Sequence, residues 1–254
     1  MLDRFLQKTT PEGLLLASDF DGTLSKIVPE PGAAETVPGV IHALTELSQR
    51  LLAIAIVSGR STADLERLVP VPGLRRLGDY GLMRPTEREA DALAAFNQDV
   101  RAHVESKTGL AVEAKPGSTS VHFRDAPEAG DRLFDTISET ARRHGLEASL
   151  GRMVVEVRPH RAGKGRAVER LMTELSPSAM LFAGDDEGDR EVFELLSAST
   201  LPHLAIGIRS PEARGDLFEH CDLVLEGPEE FSRCLRTLAA WAARPGPARP
   251  GSDA

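Results

Sequence analysis

The 254-residue chain is short of the features that mark several protein classes. It has one Trp, one Tyr and 4% aromatic residues in all, too little ring surface to stack a run of nucleic-acid bases. Its two cysteines, Cys221 and Cys234, form no CxxC pair and cannot build a disulfide framework. Cations are outnumbered: 30 Lys and Arg face 39 Asp and Glu, a formal charge of −9. Without a basic excess to displace phosphate counterions, neither nucleic acid nor an anionic membrane surface is an expected partner. The longest apolar run, residues 51–57, has seven residues, against the ~20 that span a bilayer. The opening MLDRFLQKTTPEG carries no secretory-signal pattern, so the cytoplasm is the expected location.

What is there is the composition of an ordinary globular protein, 41% hydrophobic and 27% charged. Continuous apolar runs of strand length occur at 14–18, 52–57, 180–183, 204–208 and 223–225. Helical periodicity fills 40–50, 62–69, 164–175, 187–196 and 229–243. Such alternation implies an α/β fold, a parallel sheet covered by helices, with reactive residues at the carboxyl ends of the strands. The middle breaks the pattern. Here a polar helix (87–105), strands (111–115 and 119–124), a helix (128–144) and two more strands (147–150 and 153–158) follow one another. The last two flank Gly151-Arg152, a pair suited to a hairpin turn. The expected organisation is a core from 1–83 and 161–243, an inserted α+β unit over 84–160, and a disordered Pro/Gly-rich tail over 244–254.

Four segments carry chemistry. The first strand runs into Asp19-Phe20-Asp21-Gly22-Thr23, whose two carboxylates at spacing two lie on one side of an extended chain. Two acids so close call for a cation or a proton between them, and Mg²⁺ favours such oxygen ligands. The second strand ends in Ser58-Gly59-Arg60, followed by Ser61, an N-cap residue, so that a hydroxyl meets helix N–H groups as in a phosphate site. Lys164, one of only five lysines, stands between Gly163 and Gly165, without the spacing of a Walker A loop. Finally, a buried strand runs into Gly184-Asp185-Asp186-Glu187-Gly188-Asp189. Each alone also reads as turn or capping punctuation; the four in order are far more specific.

DxDGT, SGR, a glycine-flanked lysine and GDDxxD in this order resemble the haloacid dehalogenase (HAD) superfamily of phosphatases, in which a larger type of cap domain sits where the insert lies. The chain also resembles the trehalose-6-phosphate phosphatases. Their ExK pair is matched by Glu113 and Lys115, and their HYR-like strand by His122-Phe123-Arg124. Their VEVRP strand is matched by Val155-Glu156-Val157-Arg158-Pro159, ahead of Lys164. The pattern departs at Gly188 and Arg190, where Thr and Glu are usual, at Tyr80-Gly81 in place of His-Gly, and at Lys26 in place of Pro.

The resemblance implies a Rossmann-like core with a cap, and Mg²⁺-dependent hydrolysis of trehalose 6-phosphate through an aspartyl-phosphate. Asp19 would be the nucleophile and Asp21 the general acid and base, its pKa raised by neighbouring carboxylates. Ser58 and Lys164 would hold phosphoryl oxygens. The metal would fall to Asp19, Asp185 and the backbone carbonyl of Asp21, with Asp189 and Asp186 supporting. Thr23, Gly59 and Arg60 on the core, and Glu113, Lys115, His122, Arg124 and Glu156 on the cap, would bind substrate. The expected partner is a small sugar phosphate, and the expected state a monomer with hinges near Arg84 and over 159–163. Sucrose 6-phosphate, a glycosyl-3-phosphoglycerate and a catalytically silent phosphate-binding module are the alternatives.

Overall fold

A computed structural model describes residues 1–28, 30–82, 85–104, 109–151, 153–210 and 215–244. Among them, ten strands and eight α-helices build two sheets with separate cores. In chain order the elements are α1 (Leu2–Leu6), β1 (Leu14–Ser18), α2 (Val40–Ser48), β2 (Ala53–Val57), α3 (Thr62–Leu68) and β3 (Arg75–Leu77). Then come α4 (Glu87–Val104), β4 (Ala111–Ala114), β5 (Thr119–His122), α5 (Gly130–Arg143), β6 (Leu146–Gly151) and β7 (Val154–Pro159). The last third holds α6 (Lys164–Leu175), β8 (Ala179–Gly184), α7 (Glu187–Ser197), β9 (His203–Arg209), β10 (Leu223–Glu226) and α8 (Pro228–Ala242).

The larger sheet has the order β10-β9-β8-β1-β2-β3, parallel throughout. Its central strands β1 and β8 are buried at every residue, as their unbroken apolar runs require when both faces are covered. The strand period of two then divides β1 between two cores. Leu14 and Leu16 pack with α2 and α8, while Leu15 and Ala17 pack with α6 and α7. Chain order reverses at β1, with β2 on one side and β8 on the other. In register, Ser18 stands opposite both Ile56 and Ala183. The residues after β1, β2 and β8 therefore leave the sheet side by side, in the crevice where α/β sheets bind ligands.

The smaller sheet, β4-β5-β7-β6, is antiparallel. Val121, Val155 and Val157 face α4 and α5, packing with Phe96, Val100 and Ile137. The alternate positions Ser120 and Glu156 stand directly opposite each other on the other face, with Glu113 paired to Ser120.

The α/β fold and the inserted antiparallel unit are thus those expected. The differences are local. β3 went unread because Arg-Arg-Leu at a sheet edge has no apolar run to mark it. The second helix of the insert begins at Gly130, after a 3-10 turn over Pro127–Ala129. Among the described residues no helix is long and apolar enough to cross a membrane. Arg84, Arg152, Glu105 and residues 245–254 of the expected tail lie outside the described residues.

Candidate active site

Asp19 follows β1 and is 3% exposed, its amide donating to Ala183 across the strand gap at 2.9 Å. Three residues on, the chain turns at Gly22, φ +79°. A Cβ there would fall 2.0 Å from Asp185 Oδ2, so glycine is required both by the dihedral and by the approach of the β8 loop. Asp185, 1% exposed, accepts from Thr23 Oγ1 at 3.4 Å.

Asp186 and Asp189 form a capping box at the start of α7. Asp189 Oδ2 accepts from the amides of Asp185 and Asp186 at 3.0 and 3.1 Å. Its other oxygen faces Lys164 Nζ at 2.9 Å; the same ammonium lies 3.0 Å from Asp19 Oδ1 and 3.2 Å from Asp186 Oδ1. Lys164 reaches this point because α6 and α7 pack closely: a Cβ on Gly165 would lie 2.8 Å from Cβ of Glu191. The glycine beside the lysine is thus a packing requirement, and the lysine is buried with the acids.

Burial alone would neutralise the Lys164 ammonium, but Asp186, Asp189 and Asp19 outweigh it and hold its pKa well above the ordinary lysine range. Burial pushes Asp19 well above the usual carboxylate range; Asp186, Asp185 and Asp21 add to this, and Lys164 opposes them. Asp189 is raised by burial in the same way. One ammonium thus stands among Asp19, Asp185, Asp186 and Asp189, a cluster rich in hard oxygen donors and short of positive charge. Oxygens of Asp19, Asp186 and Asp189 come within 4.8 Å of one another, a group that could hold a metal ion. The donor chemistry fits a hard divalent cation.

The environment of Asp21 differs from that expected. Its nearest partner is a guanidinium: Arg60 Nε donates to Oδ2 and Nη2 to Oδ1, both at 2.7 Å. Arg60 lies over the Phe20 ring, 5.2 Å from its centroid. Ser58, 2% exposed, directly follows β2 and accepts from the Arg60 amide at 3.3 Å. Ser61 caps α3, accepting from Asp64 N at 3.1 Å.

From the other sheet, Glu113 Oε2 meets His122 Nε2 at 3.1 Å and Lys115 Nζ at 3.7 Å. Both oxygens of Glu156 accept from Ser120 at 2.9 Å. The His122 contact, set against partial burial and aided by Lys115, holds Glu113 below the ordinary carboxylate range.

These residues line one cleft of about 340 Å³ between the two sheets. Asp19, Asp21, Ser58, Gly59, Arg60, Lys164 and Asp185 come from one side, and Glu113, Lys115, His122, Arg124 and Glu156 from the other. Two expected residues are not in its lining. Thr23 is fully buried with its hydroxyl on Asp185, and Asp189 is fully buried behind Lys164. Arg190 turns away to Glu187 and Asp216. Tyr80, Asp79 and Asp64 line the cleft without having been read as site residues; the departure at Tyr80-Gly81 was a signal for Tyr80 alone.

A family model described as trehalose-phosphatase matches residues 17–216. A curated trehalose-phosphate phosphatase of Mycobacterium tuberculosis is 33% identical over 204 residues, 72% of this chain and 51% of that protein. The chain spans about half the length of the curated relatives first in similarity. The C-terminal domain of the Candida albicans trehalose-6-phosphate phosphatase superposes with a TM-score of 0.77 at 21% identity, covering 94% of this chain and 95% of that one. A phosphatase of the haloalkanoate (HAD) superfamily from Bacteroides thetaiotaomicron gives 0.62 at 14% identity, covering 89% and 94%. At these identities the two likenesses are of fold.

Proposed function

The chain belongs to the trehalose-phosphatase family, and we propose that it hydrolyses trehalose 6-phosphate to trehalose and phosphate with Mg²⁺ as cofactor. The observation that carries this reading is the shared cleft, in which the acids and lysine of one sheet face Glu113, Lys115, His122, Arg124 and Glu156 of the other. The proposal includes a monomer in the cytoplasm, with residues 1–83 and 161–243 as catalytic core and 84–160 as cap.

Asp19 attacks phosphorus and carries the phosphoryl group as an acyl phosphate. Asp21 gives a proton to the leaving sugar oxygen and later takes one from the water that cleaves that intermediate. For this an Asp21 oxygen exchanges its bond from Arg60 for one to the substrate. That exchange turns the guanidinium, a bidentate donor, toward the phosphoryl oxygens. Ser58 and Lys164 bind the remaining phosphoryl oxygens, the lysine offsetting charge as it develops. Asp19, Asp185 and the Asp21 carbonyl would hold the metal, with Asp186 and Asp189 supporting; the Asp189 oxygens also anchor the loop and the lysine. Bound there, Mg²⁺ would supply Lewis-acid polarisation of a phosphoryl oxygen. Glu113, Lys115, His122, Arg124 and Glu156 hydrogen-bond sugar hydroxyls, and Gly59 borders the phosphate beside Ser58.

The test is phosphate release from trehalose 6-phosphate, with Mg²⁺ and with chelator, beside sucrose 6-phosphate, glucose 6-phosphate and glucosyl-3-phosphoglycerate. Mg²⁺-dependent turnover of trehalose 6-phosphate, lost by about 10⁴-fold or more in Asp19→Asn, is the expected result. Preference for another sugar phosphate would keep the chemistry and overturn the substrate. Inertness toward all four would leave a phosphate-binding module.

A further inference from the structure

Tyr80 is the only tyrosine in the chain, and it stands at the junction of three parts of the cleft. Its amide donates to Ser58 O at 2.9 Å, and its carbonyl accepts from Gly163 N at 3.0 Å, tying the loop after β2 to the loop that presents Lys164. Asp79 donates in the same way to Arg60 O at 2.8 Å. Both residues are left-handed, with φ of 50° and 56°. Two successive non-glycine residues in that region are strained, and such strain persists only where surrounding bonds over-determine it. Here those bonds come from the phosphate-side loops themselves.

The side chain is equally constrained. The ring is sandwiched: the Arg158 guanidinium lies 5.0 Å from its centroid, and a Cβ on Gly59 would fall 2.6 Å from the phenol oxygen. Gly59 has an ordinary φ, so the glycine of Ser58-Gly59-Arg60 is needed at this position to make room for the phenol. Arg158 is itself pinned by Glu191, leaving the ring little freedom to move. Tyr80 is 8% exposed, yet it lines the cleft, and its hydroxyl makes no hydrogen bond among the described residues. The ring is buried, but the hydroxyl is not among the described side-chain atoms buried without a partner, so it opens on the cleft. A rigidly held hydroxyl at the cleft wall, bonded to no described protein group, is placed to meet what enters.

We propose that the Tyr80 hydroxyl is a specificity-determining contact, donating a hydrogen bond to an oxygen of the sugar ring that bears the phosphate, between the phosphoryl site and the cap. The location selects this part of the substrate. The phenol abuts Gly59, next to Ser58, while Glu156 of β7 and Lys164 of α6 both act on it through space. Burial, reinforced by Glu156 and Asp186, keeps the phenol protonated well above its ordinary pKa, so that it serves as a neutral donor. A rigid donor rejects a substrate without the matching oxygen, because its own hydrogen bond is then unmade.

The inference rests on the sugar-phosphatase reading and is tested so that the two fail separately. Wild type and Tyr80→Phe are assayed on the four sugar phosphates and on p-nitrophenyl phosphate, which has no sugar ring. Phenylalanine keeps the ring against Arg158 and Gly59, and matching melting curves would establish an intact fold. The expected result is an approximately tenfold fall in the ratio of kcat/KM for the preferred sugar phosphate over that for p-nitrophenyl phosphate, carried mainly by KM. A ratio within about twofold of wild type, including an equal fall on both substrates, would overturn the role of Tyr80. If wild type prefers a sugar phosphate other than trehalose 6-phosphate, the substrate assignment falls and the ratio on that compound still decides. If wild type hydrolyses no sugar phosphate, both readings fall.

Discussion

Two charged clusters face each other across the cleft, and they are built on opposite terms. On the core side Asp19, Asp185, Asp189 and Lys164 are all at most 3% exposed, and every polar atom of Asp189 and Lys164 is committed to a short contact. On the cap side the Glu113 and His122 side chains are 51% and 42% exposed, and their contacts are those of a wet surface. Buried charges interact strongly and hold one geometry, which suits a phosphoryl group that must be placed to a fraction of an ångström. Half-exposed charges are screened and rearrange cheaply, which suits sugar hydroxyls exchanging with water. Under the proposed function most reacting groups fall in the drier environment and Glu113 and His122 in the wetter one, with Asp21 at 36% and Glu156 at 8% exposed crossing that line.

The difference is sharpest in what each cluster loses on mutation. Lys164→Met strands Asp19, Asp186 and Asp189 without their ammonium, and is expected to destabilise the fold by about 3–5 kcal/mol besides abolishing turnover. Urea denaturation checks the first effect; a loss below about 1 kcal/mol would mean that water or protons already neutralise the acids. Glu113→Gln removes a partner of His122 and Lys115 in the wet cluster. It is expected to leave stability within about 0.5 kcal/mol and to raise KM by about two- to tenfold with a smaller change in kcat, measured by steady-state kinetics. A large fall in kcat alone would erase the division between reaction and selection.

A smaller effect concerns the seam between core and cap. Glu89 of α4 accepts from Arg161 at 2.7 and 2.8 Å, and these bonds, against slight burial, lower its pKa to about 2. A carboxylate depressed in the folded state stabilises above its ordinary pKa of 4.5 and loses that contribution as pH falls toward 2. Arg161 is half-exposed, so the contribution is expected to be below about 1 kcal/mol. Melting temperatures of wild type and Glu89→Gln should differ at pH 6, approach each other below pH 4.5 and converge only as pH falls through about 2; a constant difference would assign the effect to packing.

Much of this arrangement was legible in the chain. The apolar runs of β1, β2 and β8 announce strands buried on both faces, and the residues following them are the ones that meet in the crevice. The cap positions were legible only through resemblance, since Glu113 and His122 on separate strands carry no local mark of facing one cleft. Arg60 was read as a substrate contact, and its bidentate hold on Asp21 was not, because 39 positions separate the pair and no local pattern links them. Thr23 was expected beside the substrate and lies behind the cleft with its hydroxyl on Asp185; Asp189, expected at the metal, is outside the cleft lining but within the acidic group it forms with Asp19 and Asp186. Tyr80 was noticed only as a departure from a family pattern.

The sequence by itself determined what depends on local order: the alternation of strands and helices, the acids and hydroxyls placed directly after strands, and the glycines at the turns. It also determined that acids outnumber cations, 39 to 30, and that lysine is rare among the cations. Only the tertiary structure decided which charges share a dielectric environment. Lys164 joins Asp19 from 145 residues away because α6 packs on α7 through Gly165, and Tyr80 enters the cleft because Gly59 leaves room for it. Burial and pairing are properties of the assembled packing, and they turn the same carboxylate into a reacting group, an anchor or a wet surface contact.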